Sequence, residues 1–273
     1  MDQGTIRRRI KNLQKQGILA GWFLGVSPSV TGHRVANVWL ETEPHADKRE
    51  LMEELLTVQG VERVCSYLSP KLSLVLLYKG REDLDASLKR IATLAGSNKV
   101  FHEIGATSSP GQALTETDLA IVGSLRQDPW KPHATVAREL RMSSRTVKRR
   151  VTRLSEGGAI YMLPNIDLKA FHGIVPAELV VHYESKEQRS AANERIMSQI
   201  RDELLFSNIS ESHGYFALSV SNTSRVEQIT RWAKQQTGVR EVHSDVLQDV
   251  ILNRSHYEQE RGRIRVEAGR MEK

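Results

Sequence analysis

Cysteine and long apolar segments are scarce in this sequence of 273 residues. Cys65 is the only cysteine, so no disulfide can form within the chain, and such usage is typical of a reducing cytoplasm. No run of about 18 apolar residues is present to cross a membrane. The first residues lack the apolar core of a secretory signal. We therefore expect a cytoplasmic protein.

The familiar motifs of catalysis are also missing. The sequence has no glycine-rich phosphate loop before a helix, no His-Glu-x-x-His pair and no Gly-x-Ser-x-Gly nucleophile. His182, Glu184 and His213 are candidate ligands, although isolated histidines on strands or turns are more often structural. Cys65 lies in a predicted strand and resembles a small buried apolar residue. We therefore predict no catalytic residues, no metal and no cofactor.

Positive charge is in excess and unevenly distributed. The chain has 39 Lys and Arg against 33 Asp and Glu, which gives a net charge of +6. Basic residues concentrate in two segments, 7–15 and 141–153. A basic excess points weakly to nucleic acid, and a charged run is equally typical of a solvated helix face. The structural setting of the two segments must decide between these interpretations.

The two basic segments belong to an internal repeat. Residues 5–19 align with residues 146–160 at a constant offset of 146 − 5 = 141, and the register continues without a gap to Gly32 and Gly173. The length of the chain suggests two or three domains. Duplication of one module is the simplest explanation of the repeat.

The same order of elements follows each basic segment. Apolar alternation predicts strands and helical spacing predicts helices in the order β-α-β-β-α-β, which is the ferredoxin-like pattern. The fold class is therefore α+β. The predicted strands are 35–43, 61–68, 72–79 and 99–105 in the first copy, and 177–184, 204–210, 215–221 and 239–252 in the second. The predicted helices are 47–58, 81–96, 187–201 and 223–236.

A winged helix-turn-helix is predicted between the two ferredoxin-like units. Thr115 can cap a first helix at residues 114–125, and residues 133–141 form a second. Met142 makes the turn, and Ser143 then caps a third helix that ends at two glycines. Residues 159–166 form a short wing.

The third helix of this motif carries a cationic face opposite its apolar stripe. A helix fits the major groove of DNA, arginines grip guanine or phosphate, and short hydroxyl residues allow close approach. The alternative is a three-helix core used for protein contacts. We predict that the DNA-binding residues are Ser143, Ser144, Arg145, Thr146, Lys148, Arg149, Thr152 and Arg153.

These residues carry a resemblance to a known family. The segment 114–125, the run Val-Ala-Arg-Glu-Leu at 136–140 and the recognition helix at 143–154 resemble the leucine-responsive/AsnC (Lrp/AsnC, feast-or-famine) regulators. Residues 237–251 are similar to the closing strand of that family's ligand domain. The resemblance implies cytoplasmic transcription regulation, binding to double-stranded DNA, and a homodimer or higher homo-oligomer. It also implies small-molecule effectors, commonly amino acids or other metabolites.

The sequence departs from the family pattern in three places. The first copy begins inside the recognition helix, which suggests a truncated chain or a misplaced start. The Gly-Asp pair of the family's effector loop is absent at 68–71 and at 210–214, which puts an amino-acid effector in doubt. The segment Trp130-Lys131-Pro132 is bulkier than the usual turn.

The domain organisation follows from the repeat and its spacing. We predict a partial helix-turn-helix (1–30), a ferredoxin-like domain (31–105), a linker (106–113), a winged helix-turn-helix (114–166), a second ferredoxin-like domain (167–253) and a charged tail (254–273). The two ferredoxin-like units are expected to pack sheet to sheet as a pseudo-dimer, with Leu74 or Leu76 buried between them.

The main functional hypothesis is a sequence-specific, DNA-binding transcription regulator that is not an enzyme. One alternative is a tetrapyrrole enzyme similar to the siroheme decarboxylases, which resemble this family in architecture. The other is a sensing or assembly module without DNA binding.

Overall fold

A computed structural model describes residues 3–43, 47–97, 99–105, 114–126, 128–170, 172–210 and 212–253. The predicted linker (106–113) and the predicted tail (254–273) therefore lie outside the described residues. Within the described ranges, no helix has both the length and the apolar character needed to span a membrane.

The described part of the chain contains eight α-helices and ten strands. The helices are α1 (Gln3–Lys15), α2 (Lys48–Leu55), α3 (Arg81–Ala95), α4 (Glu116–Leu125), α5 (His133–Glu139), α6 (Ser144–Glu156), α7 (Lys186–Gln199) and α8 (Thr223–Lys234). The strands are β1 (Leu19–Val26), β2 (Arg34–Glu41), β3 (Val61–Tyr67), β4 (Lys71–Tyr78), β5 (Val100–Ile104), β6 (Ile160–Ile166), β7 (Val175–Tyr183), β8 (Leu204–Ile209), β9 (His213–Val220) and β10 (Val239–Leu252). This content confirms the predicted α+β class.

Eight of the strands form a single antiparallel sheet in the order β5-β2-β4-β3-β10-β7-β9-β8. The first four belong to unit 1 (residues 34–104) and the last four to unit 2 (residues 175–252). The 14-residue strand β10 joins them, because its first half pairs with β7 and its second half pairs with β3. The two units thus share one continuous sheet, and side chains of one unit also contact those of the other.

Each unit buries its own apolar core between its half of the sheet and its two helices. On β4 the side chains of Leu72, Leu74 and Leu76 all enter the core of unit 1, together with Met52 of α2 and Ile91 of α3. The expectation that Leu74 or Leu76 lies between the units is therefore wrong. Side chains alternate along a strand, so the residues between the leucines point to the other face of the sheet, where Lys71 and Ser73 lie towards unit 2.

The remaining two strands form a small sheet between the repeat copies. Strand β1 follows α1, strand β6 follows α6, and they pair antiparallel with Trp22 opposite Pro164 and Val26 opposite Ile160. Strand β6 lies within the predicted wing (159–166), and its pairing partner is the corresponding strand of the first copy. We call this pair the wing sheet.

The helix-turn-helix consists of α4, α5 and α6 around a core of its own. Val122, Val136 and Val147 are fully buried in it, and Leu24 of β1 closes the core from the wing sheet. The turn between α5 and α6 includes Met142, as predicted, but the residue with left-handed backbone is Arg141, at φ 53°. That conformation favours glycine over other residues.

The two recognition-type helices differ in their surroundings. Leu154 of α6 is 4% exposed in the helix-turn-helix core, whereas its repeat equivalent Leu13 of α1 is 39% exposed. Among the described residues, α1 packs mainly on β1, whereas α6 packs on α4 and α5. The same sequence pattern is therefore buried in one copy and largely solvated in the other.

This contrast gives a matched test of the fold. Leu154→Ala should lower the free energy of unfolding by about 2–5 kcal/mol, because it opens a cavity in a packed core. Leu13→Ala, the same change at the equivalent position, should cost about 0.5 kcal/mol or less. Urea unfolding of the full chain measures both values, and equal effects of the two substitutions would contradict the structure.

Candidate nucleic-acid interface

The N-terminal half of α6 presents a polar, cationic surface. Ser143 caps the helix by accepting a hydrogen bond from the backbone N–H of Thr146. The side chains that share the outer face are exposed, while Val147 is buried on the opposite side. We call this surface the α6 basic face, and its members are Ser144, Arg145, Lys148, Arg149 and Thr152.

Three of the predicted DNA-binding residues also have structural roles. The hydroxyls of Ser143 and Thr146 lie 2.9 Å apart within the N-cap. Arg153 Nη2 is 2.7 Å from a carboxylate oxygen of Asp118 on α4. Arg153 is half-exposed, so it reaches solvent while its guanidinium is held against α4.

Asp118 organises the inner side of α6. Its carboxylate is fully buried and also receives Arg150 Nη1 at 2.9 Å and the backbone N–H of Thr115 at 3.0 Å. Burial alone would raise the pKa of Asp118, but the hydrogen bonds from Thr115 and Arg150 and the charge of Arg153 outweigh burial and hold it below its ordinary value. The role of Arg150 was missed in the sequence, because spacing along a helix does not show which carboxylate on another helix an arginine will meet.

A second polar site lies where unit 1 meets unit 2. Glu178 of β7 is 1% exposed, and its carboxylate accepts hydrogen bonds from the hydroxyls of Tyr67 and Tyr215. Lys71 Nζ of β4 lies 3.2 Å from the same carboxylate. Burial, followed by the neighbouring charge of Glu178, raises the pKa of both tyrosines, so they remain neutral donors.

A group of histidines also lies where the two units meet. His213 of β9 is buried and pairs with Glu103 of β5, and its ring centroid lies 5.9 Å from that of His182. His182 is in turn 5.6 Å from the ring of His243. We call these three residues with Glu103 the histidine cluster.

The histidine cluster was only partly foreseen. His182 and His213 were candidate ligands in the sequence, but Glu184 does not belong to the cluster, and His243 and Glu103 come from distant strands. Burial is the main cause that lowers the pKa of His182, which favours its neutral form. Within the part of the chain described here, no three His, Cys, Asp or Glu side chains are arranged to hold a metal ion.

Comparison with known proteins identifies the helix-turn-helix. Residues 114–155 match the model of the AsnC-type helix-turn-helix domain. This match confirms the predicted resemblance to the Lrp/AsnC regulators over that domain. None of the curated proteins compared with the chain matches it.

Some solved structures match the chain over its whole length and others over about half of it. The siroheme decarboxylase NirDL in complex with an iron-uroporphyrin III analogue is 12% identical, with a TM-score of 0.61, and the match covers 100% of this chain and 90% of that one. A second crystal structure of the siroheme decarboxylase NirDL matches with the same identity and score over 98% of this chain and 90% of that one. E. coli AsnC is 13% identical and covers 52% of this chain, with a TM-score of 0.38.

The full-length match corrects one expectation. The sequence was interpreted as that of a protein without enzymatic activity, because it lacks familiar catalytic motifs. Two structures that share its fold from end to end are those of an enzyme, so an enzymatic activity is plausible. The absence of a short catalytic motif does not exclude an enzyme, since a site assembled from distant strands leaves no such motif.

The anchoring of α6 by Asp118 is testable through pH. Because its pKa is lowered in the folded state, Asp118 contributes stability above its ordinary pKa of 3.8, and this contribution is lost as pH falls through the folded value. Asp118→Asn should lower the free energy of unfolding by about 2 kcal/mol at neutral pH. The stability of the variant should also depend less steeply on pH in the acid range. Urea titrations at several pH values measure both effects, and parallel pH profiles would contradict the assignment.

Proposed function

We propose that this chain, with its AsnC-type helix-turn-helix domain, is a sequence-specific DNA-binding transcription regulator that inserts α6 into the major groove. The observation that carries the proposal is the α6 basic face. It is exposed, it begins at a capped helix N-terminus, and a complete three-helix core supports it. Each of these features is what docking of a recognition helix requires.

We propose different roles for the residues of α6. Arg145 and Arg149 lie on the α6 basic face, so they can reach base edges or phosphates. Ser144, Lys148 and Thr152 flank them and contribute positioning contacts to the backbone of DNA. Arg153 is held by Asp118, which makes it a pre-oriented phosphate ligand rather than a base reader.

We further propose that the DNA-binding form is a homodimer. The described part of each chain contains one complete helix-turn-helix, formed by α4, α5 and α6. A palindromic operator presents two half-sites about one helical turn apart, and two recognition helices are needed to read them. Two copies of the chain supply them.

DNA binding is tested by removing the two candidate base readers. Arg145→Ala and Arg149→Ala should each weaken binding to a selected operator by about 1–3 kcal/mol and relax the base preference at one position. Arg90→Ala, an exposed arginine on α3, is the matched control and should change little. Operator selection from a random library followed by fluorescence anisotropy at fixed salt gives these values.

Two outcomes would refute the proposal. One is that no sequence is enriched in the selection. The other is that the double variant binds as tightly as the Arg90→Ala control, since the α6 basic face would then not contact DNA.

A second candidate function, decarboxylation of a tetrapyrrole, is supported by the full-length likeness to NirDL and by the histidine cluster. Decarboxylation breaks the bond between the carboxylate carbon and the substrate carbon next to it and releases CO2. The electron pair stays on the substrate carbon, which must then gain a proton. His213, paired with Glu103, could donate that proton, and His182, kept neutral by burial, could bind an iron ion in the tetrapyrrole.

Spectroscopy separates this candidate from the regulator. If the second candidate is correct, iron-uroporphyrin III added to the full chain gives a saturable shift of its main absorbance band, and His182→Ala abolishes that shift. His102→Ala, an exposed histidine of β5, is the matched control. An unshifted spectrum, or equal shifts in both variants, would remove the histidine cluster from consideration as a tetrapyrrole site.

A further inference from the structure

A partly open cavity of about 430 Å³ lies where the helix-turn-helix, the wing sheet and unit 1 meet. Strands β1 and β6 form one side, the end of α4 forms another, and β3 with the end of β10 forms the floor. Its volume is typical of sites for small organic molecules. We call it the junction cavity.

One part of the junction cavity is apolar and aromatic. Trp22 and Leu24 of β1 and Leu163 of β6 line it together with the ring of Tyr161. That ring lies directly on the backbone of Gly25, where any Cβ atom would overlap it. Glycine at this position therefore lets an aromatic ring form a flat wall, which suits the apolar body of a ligand.

The other part of the junction cavity is charged. Arg63 of β3 and Arg126 at the end of α4 both line it, and the only carboxylate among its lining residues is that of Glu62. Arg63 Nε is buried without a hydrogen-bond partner, which is costly for a charged group. Burial raises the pKa of Glu62 to about 7, against the opposing effect of Arg126. Near neutral pH the lining thus carries two permanent positive charges and at most one negative charge, and the buried carboxylate of Glu178 acts on Arg63 from outside the lining.

We propose that the junction cavity binds a small organic carboxylate with an apolar or aromatic body. The carboxylate faces Arg63 and Arg126, and the body packs against Trp22, Leu24 and Tyr161. Guanidinium groups are the best side-chain partners of carboxylates because they donate two parallel hydrogen bonds. The buried Nε of Arg63 gains an acceptor in this arrangement.

The location of the junction cavity suits an effector. The backbone N–H of Leu24 in the wing sheet donates to the carbonyl oxygen of Arg126, at 3.0 Å, so α4 and β1 move together. A ligand held by Arg63 of unit 1 and Arg126 of the helix-turn-helix therefore links the sensor-like unit to the DNA-binding domain. This effector role rests on the regulator proposed above, whereas binding of the carboxylate does not.

Binding should depend on pH through Glu62. The charged or titratable groups that line the junction cavity with it are Arg63 on its own strand, Arg126 on α4 and Tyr161 on β6. A ligand carboxylate competes with ionised Glu62 for Arg126, so affinity should rise as pH falls through about 7. Glu62→Gln should remove this dependence and bind the ligand more tightly at slightly alkaline pH.

Calorimetric titration of the full chain, without DNA, tests the proposal. Phenylacetate is the probe, and phenylacetamide is its neutral counterpart. We expect phenylacetate to bind at least about tenfold more tightly than the amide, and Arg126→Gln to weaken it by about tenfold or more. Arg90→Gln, remote on α3, is the matched control and should leave the affinity unchanged.

The outcomes are distinguishable from a failure of DNA binding. No heat from either phenylacetate or hexanoate at millimolar concentration, or equal binding of the amide, would overturn the junction cavity as a carboxylate site whatever the DNA assays show. If Arg126→Gln fails to fold, the ¹⁵N resonance of Arg63 Nε in the unchanged chain decides. It should shift on addition of phenylacetate and not of the amide, and an unmoved resonance would also overturn the proposal.

L-phenylalanine distinguishes two sources of the carboxylate. Binding tighter than that of phenylacetate shows that Glu62 accepts an ammonium group and that the ligand is an amino acid. Weaker binding shows that the ligand is a simple carboxylate. Both results support the proposed site.

Discussion

The packing of the two units on each other depends on the hydrogen bonds and the ion pair of the buried Glu178 carboxylate. A carboxylate that is almost fully removed from water must be supplied with donors, because an unpaired buried charge is strongly destabilising. Tyr215 is the donor from its own unit, while Tyr67 and Lys71 come from the other unit. Unit 2 therefore satisfies Glu178 only when unit 1 is in place, and strand β10 holds the two in register.

The two copies of the repeat carry different polar residues at equivalent positions of this interface. The offset of 141 places Asn37 where unit 2 has Glu178, and His213 begins β9 as Lys71 begins β4. Sheet register likewise pairs Asn37 with Glu103 and Glu178 with Asp245. Two copies of unit 2 would bring Glu178 opposite histidine instead of lysine. The pair of Lys71 with Glu178 thus forms only where unlike units meet.

Much of the fold could be predicted from the sequence, because the spacing of apolar residues and the capping residues indicate most helices and strands. The apolar composition of β4 and the cap at Ser143 are examples, and the basic face of α6 follows from helical spacing alone. The face of the sheet to which each side chain points was harder to predict. Leu74 and Leu76 point to the helices, but a nearly continuous apolar run such as β4 does not show which side is the core. The histidine cluster, the Arg150–Asp118 pair and the junction cavity depend on which distant elements meet. Spacing along the chain contains no information on that.

The sharing of β10 has a consequence for synthesis on the ribosome. Unit 1 is translated first, yet the strand that covers the edge of β3 is made of residues 247–252, near the end of the chain. Until those residues emerge, β3 presents unpaired backbone N–H and C=O groups, a template for pairing with other nascent chains. Unit 1, complete at residue 104, therefore exposes this strand edge until residue 252, which is 252 − 104 = 148 residues later.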